Sequence, residues 1–449
     1  MFILTGYTKV LMPAILSLLL GIALIIVLTT RLRVHPFFAL LLACFVVGAG
    51  LGMPLAQIIA SSKEGFGRLL QSLGFILALG TTLGLVLEQN GATRAMALFL
   101  VRRLGNSRAP LAMSLTGYLV GLPIFCDSGY IVLSGLNNSL AKSSATPRLV
   151  MATALATGLY SVHCLIPPHP GAAAAAVTLN VGFGRLILLG MVAAVPAMLV
   201  GYAWARYAGS RYPAEEVITE ERATPEGTMP PVALAFLPLV VPILLIALRA
   251  FAGLQQPGGA ALFDGLLALG DPVLALLTGI VLALLCKRNW SRIELSQLMG
   301  AGVEKAGSIL MIIGAGGAFG AILATANLGT QMMQLPGVRT LGLLLPFGLT
   351  LLLKTAQGSS TVAIITAASI LQPMMGSLGL DSEHDRLFTV LAMGAGSMAV
   401  SHANDAYFWV ISRFGGLPVK RMLQVYTTAS ILMAAVAMAA VWAMYRLGG

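Results

Sequence analysis

The chain has 449 residues, 58% of them hydrophobic and only 10% charged, with a mean hydropathy of +0.90. Soluble domains carry about 25% charged residues, so this composition excludes a soluble globular protein and describes a polytopic, all-α integral membrane protein with room for about ten to twelve membrane segments. A net charge of +11 would point to nucleic acid in a soluble domain, but Lys and Arg collect between apolar runs, where membrane topology accounts for them and no nucleic-acid partner is expected.

The first apolar run, residues 12–29, has no basic leader or small-residue cleavage site and reads as a retained helix. Arg31 and Arg33 separate it from a second run at 36–53, and a polar shelf at 54–70 precedes the next apolar run, 71–87. That run is interrupted at Glu88-Gln89-Asn90-Gly91, and a shorter segment ends in Arg102-Arg103. Residues 109–140 are apolar but broken by Pro123-Ile124-Phe125-Cys126-Asp127-Ser128-Gly129, with halves too short to span alone, which predicts a re-entrant hairpin near 109–141. The next run meets His163-Cys164-Leu165-Ile166-Pro167-Pro168-His169-Pro170-Gly171. A helix interior cannot hold that many prolines, so a broken membrane helix is expected near 149–182. A span at 186–204 closes a first membrane half, 1–205.

Residues 206–230 mix Arg with Glu215, Glu216, Glu220, Glu221 and Glu226 and read as a linker. The second half, 231–449, has spans near 232–251, 272–286 and 308–324, then an interruption at Ala326-Asn327-Leu328-Gly329. A polar knot, Lys354-Thr355-Ala356-Gln357-Gly358-Ser359-Ser360-Thr361, divides two short apolar runs and predicts a second hairpin near 340–372. A second broken helix is expected near 387–414, broken at Ser401-His402-Ala403-Asn404-Asp405, before a last span at 423–445.

The order of these features repeats. Gly80-Thr81-Thr82-Leu83-Gly84 and Gly316-Gly317-Ala318-Phe319-Gly320 lie about 236 residues apart, each followed by a polar break, a hairpin and a broken helix. With the first loop cytoplasmic, about 18 of the 27 Lys and Arg fall inside and about 8 outside, which places the N-terminus outside and the linker in the cytoplasm. The two hairpins then enter from opposite faces, as in inverted-topology repeats, where substrate binds near the midplane.

The four cysteines, Cys44, Cys126, Cys164 and Cys286, show no paired spacing and lie in or beside apolar runs, so neither disulfides nor a metal site is expected, and no cofactor is implied. An intramembrane hydrolase would need Ser359 or Ser360 with Lys354, or His163 and His169 on a metal; no nucleophile-elbow or metalloprotease motif accompanies them, and duplicated breaks have no use in an enzyme. A channel is the third class, but hairpins entering from both faces suit alternating access better.

Five blocks, the glycine-rich stretch from Gly80 through Leu87-Glu88 to Gly91-Ala92, Pro123-Ile124-Phe125-Cys126-Asp127, Pro167-Pro168-His169-Pro170-Gly171, Gln357-Gly358-Ser359-Ser360-Thr361-Val362-Ala363, and Ser401-His402-Ala403-Asn404-Asp405-Ala406-Tyr407-Phe408-Trp409, carry a likeness across nearly the whole chain. In these blocks the chain resembles the gluconate permease family of bacterial inner-membrane proton symporters, within the wider ion transporter superfamily. The resemblance implies alternating-access uptake of gluconate or a related sugar acid with protons. A hydroxy amino acid or other organic anion, and Na⁺ as the coupling ion, stay open. The chain departs from the family at Cys126, where a second aromatic is common, in the polar run Ser134-Gly135-Leu136-Asn137-Asn138, and at Ala172, where proline is frequent; these bear on substrate identity.

A polyhydroxy carboxylate needs donors for its anionic end and mixed partners for its hydroxyls. Gly358, Ser359, Ser360 and Thr361 open a half-helix whose N–H groups could hold the carboxylate, with Gln357 and Asn404 toward the hydroxyls and Ser128-Gly129 as the matching turn. Asp127 and Asp405 are carboxylates at membrane breaks, each costing at least ~2.5 kcal/mol to insert, and with His402 and Glu88 they are the candidates for proton coupling. Lys354, His163 and His169 are supporting candidates. The competing reading of each is structural, as a capping, packing or break-satisfying group. The partners expected are a small organic anion, H⁺ and the lipid bilayer; the oligomeric state is open.

Overall fold

Inside a bilayer each segment must satisfy its own backbone polar groups, and helices do so one turn at a time. The computed structural model describes residues 16–29, 31–212, 229–252, 267–287, 289–325 and 339–448, and their regular structure is helical, with no strand among the described residues. In chain order the helices are α1 (Leu16–Thr29), α2 (Pro36–Gly50), α3 (Leu55–Gln89), α4 (Ala92–Leu104), α5 (Ala109–Val120), α6 (Cys126–Ser143), α7 (Arg148–His163), α8 (Pro170–Thr178) and α9 (Phe183–Gly209). They continue with α10 (Val232–Ala252), α11 (Pro272–Leu285), α12 (Arg292–Thr325), α13 (Leu344–Gln357), α14 (Ser360–Leu371), α15 (Glu383–Ser397), α16 (Ala406–Gly415) and α17 (Val419–Leu447). Among the described residues, 6 helices are long and apolar enough to cross a membrane alone. The protein is an all-α, multi-pass membrane protein.

Two long helices differ from the sequence reading. The polar shelf expected at 54–70 is the first half of α3, a 35-residue helix; Pro54 caps its start, and Arg68 bonds Glu64 one turn back at 2.8 Å. Likewise the stretch between the spans expected at 272–286 and 308–324 is largely helix, because α12 runs 34 residues from Arg292. Charged residues at helical spacing extend a helix into the interface as well as they fill a loop. Lys305 therefore belongs to α12. The predicted interruption at 326–329 and residues 213–228 of the linker lie outside the described residues, and α9 runs into the expected start of that linker.

α3 and α12 pack antiparallel. Gly65 lies against the carbonyl of Gly317, and at the other end Thr82 lies against Gly302. Small residues at such crossings let backbones approach closely where lipid gives no hydrophobic drive to helix association. Around this pair the breaks fall where the short apolar runs require them. The segment expected as the first hairpin is α5 and α6 around a break at 121–125, and that expected as the second is α13 and α14 around Gly358-Ser359. The broken helices are α7 with α8 and α15 with α16.

Corresponding glycines pack each broken helix on its own hairpin. A Cβ on Gly158 of α7 would stand 2.1 Å from the Ser114 carbonyl oxygen of α5, and one on Gly396 of α15 would stand 2.3 Å from that of Phe347 in α13. The second segments cross over instead. Gly171 of α8 packs on Thr361 and Ile364 of α14, and Asn138 of α6 donates to the Phe414 carbonyl of α16 at 3.2 Å.

Candidate functional site

Helix ends leave unpaired N–H and C=O groups, and in a membrane protein breaks are tolerated only where those groups find partners or face a cavity. At the second hairpin most find partners. Gly358 ends α13 with φ +82°, and a Cβ there would lie 2.1 Å from the Asn404 carbonyl oxygen, so only glycine fits. His402 Nε2 donates to the Thr355 carbonyl at 3.2 Å, and Asn404 Nδ2 donates to the carbonyls of Thr355 (2.8 Å) and Ala356 (3.2 Å). Both side chains thus strap the α15–α16 break to the open carbonyls of α13.

Lys354, in the last turn of α13, is 0% exposed, and its Nζ donates to Asp405 Oδ2 at 2.9 Å. Asp405, 6% exposed, also accepts from Ser401 Oγ at 2.5 Å, and through Oδ1 it caps α16 by accepting from Tyr407 N at 3.0 Å. The ammonium sits at a helix C-terminus and the carboxylate at a helix N-terminus, so both dipoles favour the pair. This places Asp405, a coupling candidate, in a fully bonded structural position.

Ser359 is the N-cap of α14, its Oγ accepting from Val362 N at 3.3 Å. The first-turn N–H groups of Ser360 and Thr361 have no carbonyl one turn back and remain the open donors of this end. We expect Ser359→Ala to lower stability by about 1 kcal/mol and Ser359→Gly by only a few tenths, read from thermal unfolding in detergent; equal losses would mean the hydroxyl does not cap. Gln357 is the unsatisfied member: its Oε1 and Nε2 are both buried without a hydrogen-bond partner.

The first half has a different chemistry at the matching positions. His169, N-cap of α8, takes the place that Asp405 has at α16. Its Nε2 donates to the Gly121 carbonyl, just past α5, at 2.6 Å. A carbonyl only accepts, so a neutral His169 carries its proton on Nε2 and its Nδ1 accepts from His163 Nδ1, 3.3 Å away. His163 and His169 thereby close the first break. Asp127 and Ser128 lie in the first turn of α6 and are half-buried; a carboxylate there is favoured by the helix dipole. Gly129 is buried: its N–H bonds the Phe125 carbonyl at 2.8 Å, and a Cβ there would stand 2.8 Å from Leu159 of α7. Glu88, in the last turn of α3, lies within electrostatic reach of Asp127 and Lys305, and its Oε2 is buried without a hydrogen-bond partner.

The breaks from the two halves join at an aromatic seam. Tyr160 of α7 donates to the Ser397 carbonyl at 3.1 Å, Tyr407 of α16 donates to the Ala156 carbonyl at 3.1 Å, and the two rings stack 5.6 Å apart. Sequence reasoning missed Lys305, which projects from α12 to the first hairpin and donates to Ser128 Oγ at 2.7 Å. A helical reading of 292–307 is the one signal that could have found it. The four cysteines are free and buried, and among the described residues no His, Cys, Asp or Glu group could hold a metal ion.

Comparison with known proteins decides the family. The model of the GntP family permeases matches residues 13–447. The chain belongs to that family. Among its GntP relatives are a gluconate permease of Pseudomonas aeruginosa, 32% identical over 94% of this chain and 95% of the relative, and the high-affinity gluconate transporter of Escherichia coli K12, 31% identical over 89% and 92%. The D-serine transporter DsdX of Escherichia coli O6:H1 is 31% identical over 94% and 96%. A solved structure, the YdaH transporter of Alcanivorax borkumensis, shares the fold with a TM-score of 0.61 at 17% identity, over 92% of this chain and 99% of that one. This GntP permease is a membrane transporter and not an enzyme.

Proposed function

We propose that this GntP permease is a proton-coupled symporter that carries gluconate or a related hydroxy-carboxylate into the cell by alternating access. The observation that carries this reading is the crossover of the breaks: the second arm of each hairpin packs on the second segment of the other half's broken helix. A site built at such a crossover changes when one half rocks against the other. The two halves, 1–205 and 231–449 around a cytoplasmic linker at 206–230, are inverted repeats in this reading. The antiparallel contact of α3 with α12 supports that, since matching helices of inverted repeats run in opposite directions. The protein is then placed in the inner membrane with its N-terminus outside.

The names of the relatives support the substrate class. Gluconate, L-idonate and D-serine, the substrates named for relatives, are all carboxylates with a hydroxyl or amino group beside or near the carboxyl carbon. In this reading the substrate takes its hydrogen bonds from the first-turn N–H groups of Ser360 and Thr361, from the buried, unpartnered amide of Gln357 and from Asn404, with Ser128 contributing from the other half. Among the coupling candidates, Asp405 and His402 already hold structural partners, so the moving proton is assigned to Asp127 and Glu88. A D-serine-type substrate is the second reading, favoured by the relative that carries it.

Uptake of labelled D-gluconate into proteoliposomes tests the proposal. An inward proton gradient should accelerate uptake several-fold, a protonophore should abolish the acceleration, and counterflow should persist without any gradient. Uptake that ignores the protonophore and follows Na⁺ overturns the coupling ion; absence of counterflow overturns the carrier.

A further inference from the structure

Two lysines approach the breaks, and their charges are treated differently. Lys354 is buried and neutralised by Asp405. Lys305 is half-buried and, among the described residues, forms no ion pair. Its Nζ donates to Ser128 Oγ at 2.7 Å and stands 4.6 Å from the centroid of the Phe125 ring. One turn earlier Gly302 packs directly on Thr82 of α3, so the helix carrying Lys305 is held tightly and the ammonium is aimed by the scaffold rather than by a loop. Across from it Glu88 is close enough to feel its field, yet does not close on it.

An ammonium has three donors, and a hydroxyl with one aromatic face leaves two of them without a protein acceptor and the charge without a direct ion pair. Removing part of its hydration is unfavourable unless an anion completes the shell. We propose that Lys305 is the residue that receives the carboxylate of the transported acid, with Ser128 and Phe125 holding the ammonium in position. This rests on the transporter reading and adds to it the group that recognises the substrate's charge. It also moves that role away from Lys354, whose charge is already balanced inside the protein.

Calorimetry on the purified full-length protein with D-gluconate and with neutral D-gluconamide tests the assignment. A charge-assisted hydrogen bond lost from the site should weaken gluconate binding about 10- to 100-fold in Lys305→Gln, while gluconamide binding changes less than about threefold. Lys305→Arg should keep most of the preference for the acid. Equal loss for both ligands, or unchanged gluconate affinity in a folded Lys305→Gln protein, overturns the proposal. Should Lys305→Gln not fold, Lys305→Met decides: a loss selective for gluconate supports the assignment, and an equal change in both ligands, or none in either, overturns it. If the parent protein binds neither ligand, the gluconate reading fails separately, and the same comparison with D-serine and D-serinamide tests Lys305 on its own.

Discussion

Asparagine in place of Asp405 should cost about 3–5 kcal/mol of stability, because it leaves the ammonium of Lys354 buried and unpaired. Asparagine is a good N-cap, so the cap on α16 survives and the loss reports the broken ion pair. Lys354→Met in the Asp405→Asn background removes the stranded charge with a side chain of similar volume, and we expect that double variant to recover most of the loss. Thermal unfolding in detergent of the parent, both single variants and the double variant is the measurement. An Asp405→Asn protein as stable as the parent, or a double variant no better than the worse single one, would show that the pair does not hold the break. Transport by the same double variant separates two roles. If it still accumulates substrate against a gradient with protons, Asp405 is structural, in line with its three bonded contacts; if accumulation stops while counterflow continues, Asp405 carries the proton and the assignment to Asp127 and Glu88 is wrong.

Gly358→Ala is the second large effect. The residue has φ +82°, which costs an alanine about 1–2 kcal/mol, and its Cβ would lie 2.1 Å from backbone oxygen and 2.6 Å from backbone carbon of Asn404. Backbone cannot swing aside like the end of a side chain, so α13 and the α15–α16 break must separate, with loss of the His402 and Asn404 straps. Gly379 supplies the control: it has φ +72° with nothing within 4 Å of the added Cβ, so Gly379→Ala meets the conformational cost alone. We expect Gly379→Ala to lower stability by about 1–2 kcal/mol and keep transport, and Gly358→Ala to exceed it by several kcal/mol or fail to yield folded protein. Equal effects at the two positions would mean that contact with Asn404 does not constrain the tip.

Both expectations concern a segment that the sequence marks clearly. Apolar runs too short to span, a glycine between polar residues at 354–361 and the prolines at 167–170 are local properties, and local backbone physics dictates where helices must end. The breaks that end α5, α7, α13 and α15 were legible for that reason. The extent of α3 and α12 was not, because a charged stretch at the membrane surface has the same composition whether it is loop or helix, and the helical period in 54–70 and 292–307 decides between them.

The chemistry divides along the same line. The sequence by itself determined which residue types stand at the breaks: Asp127, His163, His169, Lys354, Asp405 and the hydroxyl cluster at 359–361. Only the tertiary structure decided their partners. Lys354 meets Asp405 across 51 positions of chain, and Lys305 meets Ser128 across 177. Pairing at such separations depends on how glycines such as Gly65, Gly317 and Gly302 let whole helices approach, and no local pattern records it. Lys354 is ion-paired and Lys305, among the described residues, is not, although as residue types the two are the same.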